Sequence, residues 1–242
     1  MNNSHEFSIF LDLNFVENQI FEISQDKIYH RIVRVLRLNI NENLVLFNKN
    51  FHYSCKILEI SKRSIKIIIL KKIVNIELKP SITLCISLLK KEAFQEAIYY
   101  ACEFGANIIQ PVWSKKAQSK WQDKDRERLE NIIISAAEQS KNYNFPTLKS
   151  PISLNDLIAE SKNIGNKLFF DSKGEELMPF IKDRESKKTS EILIFFGPEA
   201  DLDPEEKLLI KNAGFNFYRL TSTILRAQSA VQLGLGILRA LI

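Results

Sequence analysis

The stretch Ile192-Leu193-Ile194-Phe195-Phe196-Gly197-Pro198-Glu199 decides the fold. Five consecutive apolar residues stop at a glycine-proline pair. A strand covered on both faces reads this way, as in a parallel sheet sandwiched between helices. The glycine opens a tight loop and a helix follows. Asp203 is the expected N-cap, Pro204 the first helical residue and Glu206 the third, a capping-box pattern, with Gly214 as the stop. Next, Leu220-Thr221-Ser222-Thr223-Ile224-Leu225-Arg226-Ala227-Gln228-Ser229-Ala230 reads as a polar loop entering a last helix. Two strand-to-helix crossings of this kind place backbone N–H and C=O groups at the carboxyl edge of a sheet, where open α/β sheets bind ligands.

Working upstream, residues 82–88 read as a strand and 91–104 as a helix with Phe94, Ala97, Ile98 and Ala101 on one face, closed by Gly105. Residues 107–112 are the next strand, so a parallel βαβ unit is expected. Residues 123–141 read as a helix with Leu129, Ile132, Ile133, Ala136 and Ala137 inward, and 182–190 as a charged connector. The last helix carries Ile224, Val231, Leu235, Leu238 and Ile242 on one stripe and the small residues Ala227, Ala230 and Gly234 on another. That second stripe fits packing within the fold or against a second copy.

Residues 71–80 are polar and end in proline, and the domain boundary is placed there. Before it the pattern is mainly short strands. Phe7, Ile9, Leu11 and Leu13 alternate, as do Ile65, Ile67 and Ile69. Residues 26–38 are the exception, with Ile28, Ile32, Val35 and Leu36 at helical spacing and Asp26 as a cap. Turns fall on Asn39, Asn41, Asn43, Asn48 and Asn50, since asparagine tolerates the left-handed conformation that glycine usually supplies. A small β-barrel is the expected result.

Of 242 residues 45% are hydrophobic, enough for one large or two small cores. No run is long enough to span a bilayer, and the first residues lack the pattern of a signal peptide, so a cytoplasmic protein without membrane contact is expected. Cys55, Cys85 and Cys102 form no paired spacing, so buried reduced thiols are expected and no metal site. The net charge is +5; residues 1–75 hold 11 Lys+Arg against 7 Asp+Glu. That placement suits an anionic partner such as RNA, though an ordinary solvated surface reads the same way.

These motifs, in order, resemble those of the bacterial 16S ribosomal RNA uridine-N3 methyltransferases, a family of the SPOUT superfamily. The family pattern of Gly-Pro-Glu-Gly-Gly, a later leucine loop and Ile-Leu-Arg is carried by Gly197-Pro198-Glu199, Leu220 and Ile224-Leu225-Arg226. Lys90, Glu103-Phe104-Gly105, Ile108-Ile109-Gln110-Pro111, Glu138-Gln139-Ser140, and His30 with Val35-Leu36-Arg37 extend the likeness over nearly the whole chain. The resemblance implies a PUA-like β-barrel over 1–75 that binds RNA. It implies a SPOUT α/β domain over 76–242 with a deep trefoil knot, a homodimer, and S-adenosylmethionine as cofactor. It places Phe170, Phe196, Gly197, Pro198, Glu199, Ala200, Leu220, Thr221, Ile224 and Leu225 around the cofactor, largely through backbone and apolar contacts.

The chemistry expected is a direct methyl displacement, in which alignment supplies most of the rate. Uridine N3 must lose a proton, and the resulting charge on O2 and O4 calls for a cation; Arg226 is placed for this, against the alternative of a surface arginine. Glu199, Glu138 and solvent are the candidates for the base, since His5, His30 and His52 all lie before the boundary. His30, Arg34, Arg37, Lys90 and Lys116, with Lys115 beside it, are candidate contacts to ribosomal RNA of the small ribosomal subunit. The chain departs from the pattern at Ala200-Asp201, Gln228 and Asn142. A diverged RNA-binding relative without activity and a phosphate-binding enzyme using Gly197 to Ala200 are the rival readings.

Overall fold

The computed structural model describes residues 6–117, 121–187 and 190–242, so His5 lies outside the described residues. The chain divides into two compact units: Met1–Ile76 with Glu138–Asn144, and Glu77–Ala137 with Phe145–Ile242.

In the first unit, strands β1 (Phe7–Phe10), β2 (Ile20–Ile23), β3 (Asn43–Phe47), β4 (Phe51–Ile60) and β5 (Ile65–Val74) form one sheet in the order β1-β3-β4-β5-β2. β1 runs parallel to β3, and the other neighbours are antiparallel. The period-two pattern of β5 buries Ile65, Ile67 and Ile69 against Tyr53, Cys55 and Ile57 of β4. The first alternation runs out early: β1 stops at Phe10, and Leu13 is exposed although Ile9 and Leu11 are buried.

The helix expected over 26–38 is shorter and different in kind. Helix α1 covers Asp26–His30, and a π-helical turn follows over Arg31–Val35. Leu36 N–H donates to Arg31 O at 2.9 Å, an i→i+5 bond. That wider turn takes Val35 off the buried stripe and leaves it exposed, while Ile32 stays buried. Asp26 is the first helical residue and not the cap, which is Gln25. Arg37 lies beyond the π-helical turn and reverses the chain at φ 54°. Asn41 takes the left-handed turn expected of it (φ 72°), and Asn18 takes another that the sequence did not mark. Asn48 acts through its side chain, donating to Leu13 O at 2.7 Å and accepting from the N–H of Asn50 and Phe51.

Residues 138–144 complete this unit. Glu138 accepts from the Phe10 N–H at 2.9 Å and pairs with Arg31. The Tyr143 hydroxyl meets Ser8 Oγ at 2.8 Å, and its ring lies against His52 and Phe47.

In the second unit, strands β6 (Ser81–Ser87), β7 (Ile108–Trp113), β8 (Thr147–Leu148), β9 (Ile152–Ser153), β10 (Lys167–Glu176), β11 (Glu191–Phe196) and β12 (Asn216–Arg219) form a parallel sheet. The order is β12-β10-β11-β6-β7-β8, with β9 also paired to β7. β11 lies between β10 and β6, and all of Ile192 to Phe196 is buried. Helices α2 (Lys91–Glu103), α3 (Asp123–Ser140), α4 (Leu154–Glu160), α5 (Met178–Lys187), α6 (Pro204–Asn212) and α7 (Ala227–Leu241) connect and cover it. Among the described residues no helix is long and apolar enough to cross a membrane.

The helix signals behave as local chemistry dictates. Gly105 (φ 77°) ends α2 and Gly214 (φ 84°) ends α6. In each case the following N–H reaches back five residues, Ala106 to Ala101 O and Phe215 to Ile210 O. This is the Schellman closure that a left-handed residue permits. The capping box of Asp203 and Glu206 is present with Pro204 at the first helical position. The charged connector expected at 182–190 is a helix as far as Lys187. Buried Leu177, Phe180 and Ile181 anchor the α5 segment, and Lys, Arg and Glu are good helix formers. The stripe expected on the last helix loses Ile224, which precedes α7 and is 87% exposed; Val231, Leu235 and Leu238 are fully buried. All three cysteines are buried, and burial pushes the thiols of Cys55 and Cys102 up to about 12.

Candidate active site

Because the strands are parallel, their carboxyl ends lie on one edge, and the loops leaving β6, β10, β11 and β12 meet there. They enclose an open cleft of about 870 Å³, within the range of small-molecule sites. Its floor is the stacked pair Phe170 and Phe196, with ring centroids 4.8 Å apart and an interplanar angle of 22°. The register sets this pair, since Phe170 of β10 lies opposite Phe196 of β11. α7 backs the floor through Gly234, where an added Cβ would sit 2.9 Å from the Phe196 ring and 3.4 Å from that of Phe170. The small-residue stripe of α7 therefore packs within the fold here, and Ala227 and Ala230 line the cleft.

One wall is a break in β10. Phe170 and Glu175 both pair with Tyr218, so residues 171–174 bulge out between them. Gly174 makes this possible: a Cβ there would lie 2.6 Å from the backbone N and C of Tyr218. Main-chain atoms in a sheet cannot yield cheaply. Gly174→Ala is expected to cost about 1–3 kcal/mol, the usual range for overpacking. Each kcal/mol lowers the melting temperature of a chain this size by about 2–4 °C. A thermal unfolding curve that overlays the wild type would contradict the reading of the bulge.

The bulge brings Asp171 and Ser172 to the cleft, and sequence reasoning missed both. A signal was present. Leu168-Phe169-Phe170-Asp171 has the same form as Ile194-Phe195-Phe196-Gly197: an apolar strand end followed by a turn residue. Burial alone would raise the pKa of Asp171. The Lys207 ammonium and the Lys173 N–H outweigh it and hold the carboxyl below the usual aspartate range.

The opposite wall is the loop after β11. The Asp201 N–H donates to Pro198 O at 2.9 Å, closing a tight turn. Gly197 is not left-handed, and a Cβ there would make ordinary contacts of 3.4 Å with Leu202 and 3.6 Å with Phe169. Asp201 is the residue with positive φ, 61°. Glu199 Oε1 accepts the N–H of Lys90 at 2.9 Å, tying this loop to the start of α2. The third wall, after β12, is held by Thr221 Oγ1 donating to Thr223 O at 2.7 Å.

The structure thus gathers Phe170, Phe196, Gly197, Pro198, Glu199, Ala200, Leu220, Thr221, Ile224 and Leu225 around one cleft, with Lys90, Arg226 and Gln228 at it. Arg226 is the N-cap residue of α7 and is exposed; its guanidinium makes no hydrogen bond or ion pair with the described residues. Lys116 is exposed, with its ammonium 3.4 Å from Ala200 O. Lys115 is taken up by Glu205 at 2.5 Å and Asp203 at 3.7 Å. Glu138 is not at the cleft: it belongs to the first unit, buried beside Arg31, and burial raises its pKa against the pull of Phe10 N–H and Arg31. Asn142 falls in the same unit. His30, Arg34 and Arg37 are exposed on the first unit.

The second unit thus has the architecture of an open α/β ligand-binding domain, with its cleft at the carboxyl edge of a parallel sheet. A family model described as an RNA methyltransferase domain matches residues 77–239, and one described as an RNA methyltransferase PUA domain matches residues 25–70. Ribosomal RNA small subunit methyltransferase E of Rickettsia conorii is 27% identical over 224 residues, covering 92% of this chain and 90% of that protein. The protein of the same name from Buchnera aphidicola subsp. Schizaphis graminum is 30% identical over 237 residues, covering 92% and 85%. The crystal structure of ribosomal RNA small subunit methyltransferase E from Neisseria gonorrhoeae, bound to S-adenosyl methionine, matches with a TM-score of 0.84 at 25% identity, covering 98% of each chain. The chain belongs to this ribosomal RNA small subunit methyltransferase E family, as the ordered motifs implied.

Proposed function

We propose that this chain methylates N3 of a uridine in 16S ribosomal RNA of the small ribosomal subunit, with S-adenosylmethionine as methyl donor. In this reading residues 1–75 are a PUA-like β-barrel that binds RNA. Residues 76–242 are a SPOUT domain whose loops form a trefoil knot, and two copies work as a dimer in the cytoplasm. The observation that carries it is the cleft at the sheet's carboxyl edge, with an aromatic floor, loop walls and the Arg226 guanidinium at its rim.

The residues present fit the cofactor. Phe196, Leu220 and Leu225 offer adenine an apolar slot, and the loop amides offer it partners. Carboxylates of Asp171, Glu199 and Asp201 stand at the cleft and offset the cations Lys90 and Arg226 there, which suits a cationic sulfonium. S-adenosylmethionine supplies a methyl group activated by that positive sulfur. The chain's own contribution is placement and charge. Arg226 stabilises the negative charge that spreads over O2 and O4 as uridine gives up its N3 proton. Glu199 has one oxygen on Lys90 N–H and keeps the other for that proton. His30, Arg34, Arg37, Lys90 and Lys116 contact the RNA backbone.

The test is to incubate the purified protein with small ribosomal subunits and methyl-labelled S-adenosylmethionine, then map the product by mass spectrometry. One N3-methyluridine in 16S RNA is expected. A methyl group at another atom, or tight cofactor binding with no transfer, would sink the assignment. For the RNA surface, Arg34→Ala with Arg37→Ala is expected to lower the slope of log affinity against log salt by about 1–2, the loss of two phosphate contacts. An unchanged slope removes this segment from the interface.

A further inference from the structure

We propose that Lys207 is a positioning residue for the cleft: its ammonium clasps Asp171 and Asp201 and thereby holds the loop after β11 in the shape that binds S-adenosylmethionine. This rests on reading the cleft as the cofactor site.

Lys207 Nζ lies 2.6 Å from Asp171 Oδ2 and 2.6 Å from Asp201 Oδ2. The three residues come from three separate elements. Asp171 opens the β10 bulge, Asp201 closes the turn after β11, and Lys207 stands on α6, whose first turn is fixed by the capping box. Asp171 and Asp201 line the cleft and Lys207 does not, so Lys207 acts through them. The Lys207 side chain is 23% exposed and that of Asp171 8%, so solvent screens this inner pair little, whereas Asp201, 61% exposed, is the outer and more screened arm.

The clasp bears on a constrained stretch of backbone at Asp201. Its φ of 61° is one that glycine adopts freely and most side chains resist. The resembled motif has glycine at positions 200 and 201; here they are Ala200 and Asp201. Asp201 is held in place by both of its side-chain oxygens. Oδ1 accepts the Leu202 N–H at 2.8 Å and Oδ2 takes the Lys207 ammonium. An ionic tether to a helix thus stands where the motif relies on conformational freedom.

The experiment compares wild type with Lys207→Met, Asp201→Asn, the double variant and Lys207→Arg. Calorimetry gives S-adenosylmethionine affinity, and hydrogen exchange on the unliganded protein gives the protection of amides 199–202. Asparagine tolerates the left-handed conformation and keeps an oxygen for Leu202 N–H, so Asp201→Asn removes only the ionic arm. Lys207→Met is expected to weaken affinity about tenfold, the size of one lost bond to a charged group, and to speed exchange in the loop. Lys207→Arg should restore most of both. The double variant should be no worse than Lys207→Met alone, because the arm is already gone. Losses that simply add, or loop exchange unchanged in both single variants, would overturn the clasp. Should Lys207→Met not fold, Asp201→Asn and Lys207→Arg decide the matter alone through loop exchange. A wild-type protein that does not bind S-adenosylmethionine defeats the functional reading, while the exchange data still judge the clasp.

Discussion

Arg226→Ala is expected to lower the single-turnover methylation rate by about 10²–10³, the usual cost of losing one preorganised donor to developing charge, while S-adenosylmethionine affinity stays near wild type. The geometry separates these two effects. Arg226 sits at the rim, exposed and without a side-chain partner among the described residues, one position beyond Leu225, whose side chain is half-buried. In the proposed reading the adenine slot is formed by Phe196, Leu220 and Leu225, which line the cleft apart from the guanidinium. Its neighbour Gln228 is neutral, so no carboxylate at that position draws the charge away from the base. Rapid mixing of enzyme, labelled cofactor and small subunits would measure the step, with calorimetry on the same preparation. A rate near wild type, or a loss matched by weaker cofactor binding, would exclude the role.

Gly234→Val is the second large effect. The position has no room: a single added carbon would already lie 2.9 Å from the Phe196 ring. That ring is 2% exposed and stacked on Phe170. Valine forces the stack to move, and the stack is the floor of the cleft. Overpacking of this kind costs about 1–3 kcal/mol of stability, and the displaced rings should cut S-adenosylmethionine affinity by an order of magnitude or more, roughly the effect of losing 1.4 kcal/mol. Gly234→Ala should fall between. Intact affinity in the valine variant would mean that the aromatic floor takes no part in binding.

Features legible in the sequence were those whose cause is local. The apolar run of β11, the capping box of α6 and the glycine stops of α2 and α6 each involve neighbours within a turn or two, and each appears as expected. Features set by distant partners were not legible. The bulge at 171–174 exists because Gly174 meets the backbone of Tyr218. Lys115 reads as a free surface cation until α6 brings Glu205 to it. Ile28, Ile32 and Val35 fit a helical period, but a π-helical turn has almost the same composition, and only the Arg31-to-Leu36 bond tells them apart. The cleft was half legible. Phe196, Gly197, Leu220 and Leu225 follow from two loops at one sheet edge, whereas Asp171 and Lys207 require the third dimension.

Residues 138–144 make the completion of the first unit depend on a part of the chain far along the sequence. Glu138 is the acceptor for Phe10 N–H and Arg31, and Tyr143 is the partner of Ser8 and His52, yet both are made long after the sheet they complete. The nascent sheet of residues 7–74 leaves the ribosome lacking these groups and stays unfinished while β6, α2, β7 and most of α3 are translated. Chains whose domains fold as they emerge ordinarily close the first before the second begins. Here the first unit is sealed by a segment borrowed from the middle of the chain. A polypeptide ending anywhere before residue 138 lacks both the acceptor for Phe10 N–H and Arg31 and the ring that meets Ser8 and His52, so its first unit is short of the contacts that close it.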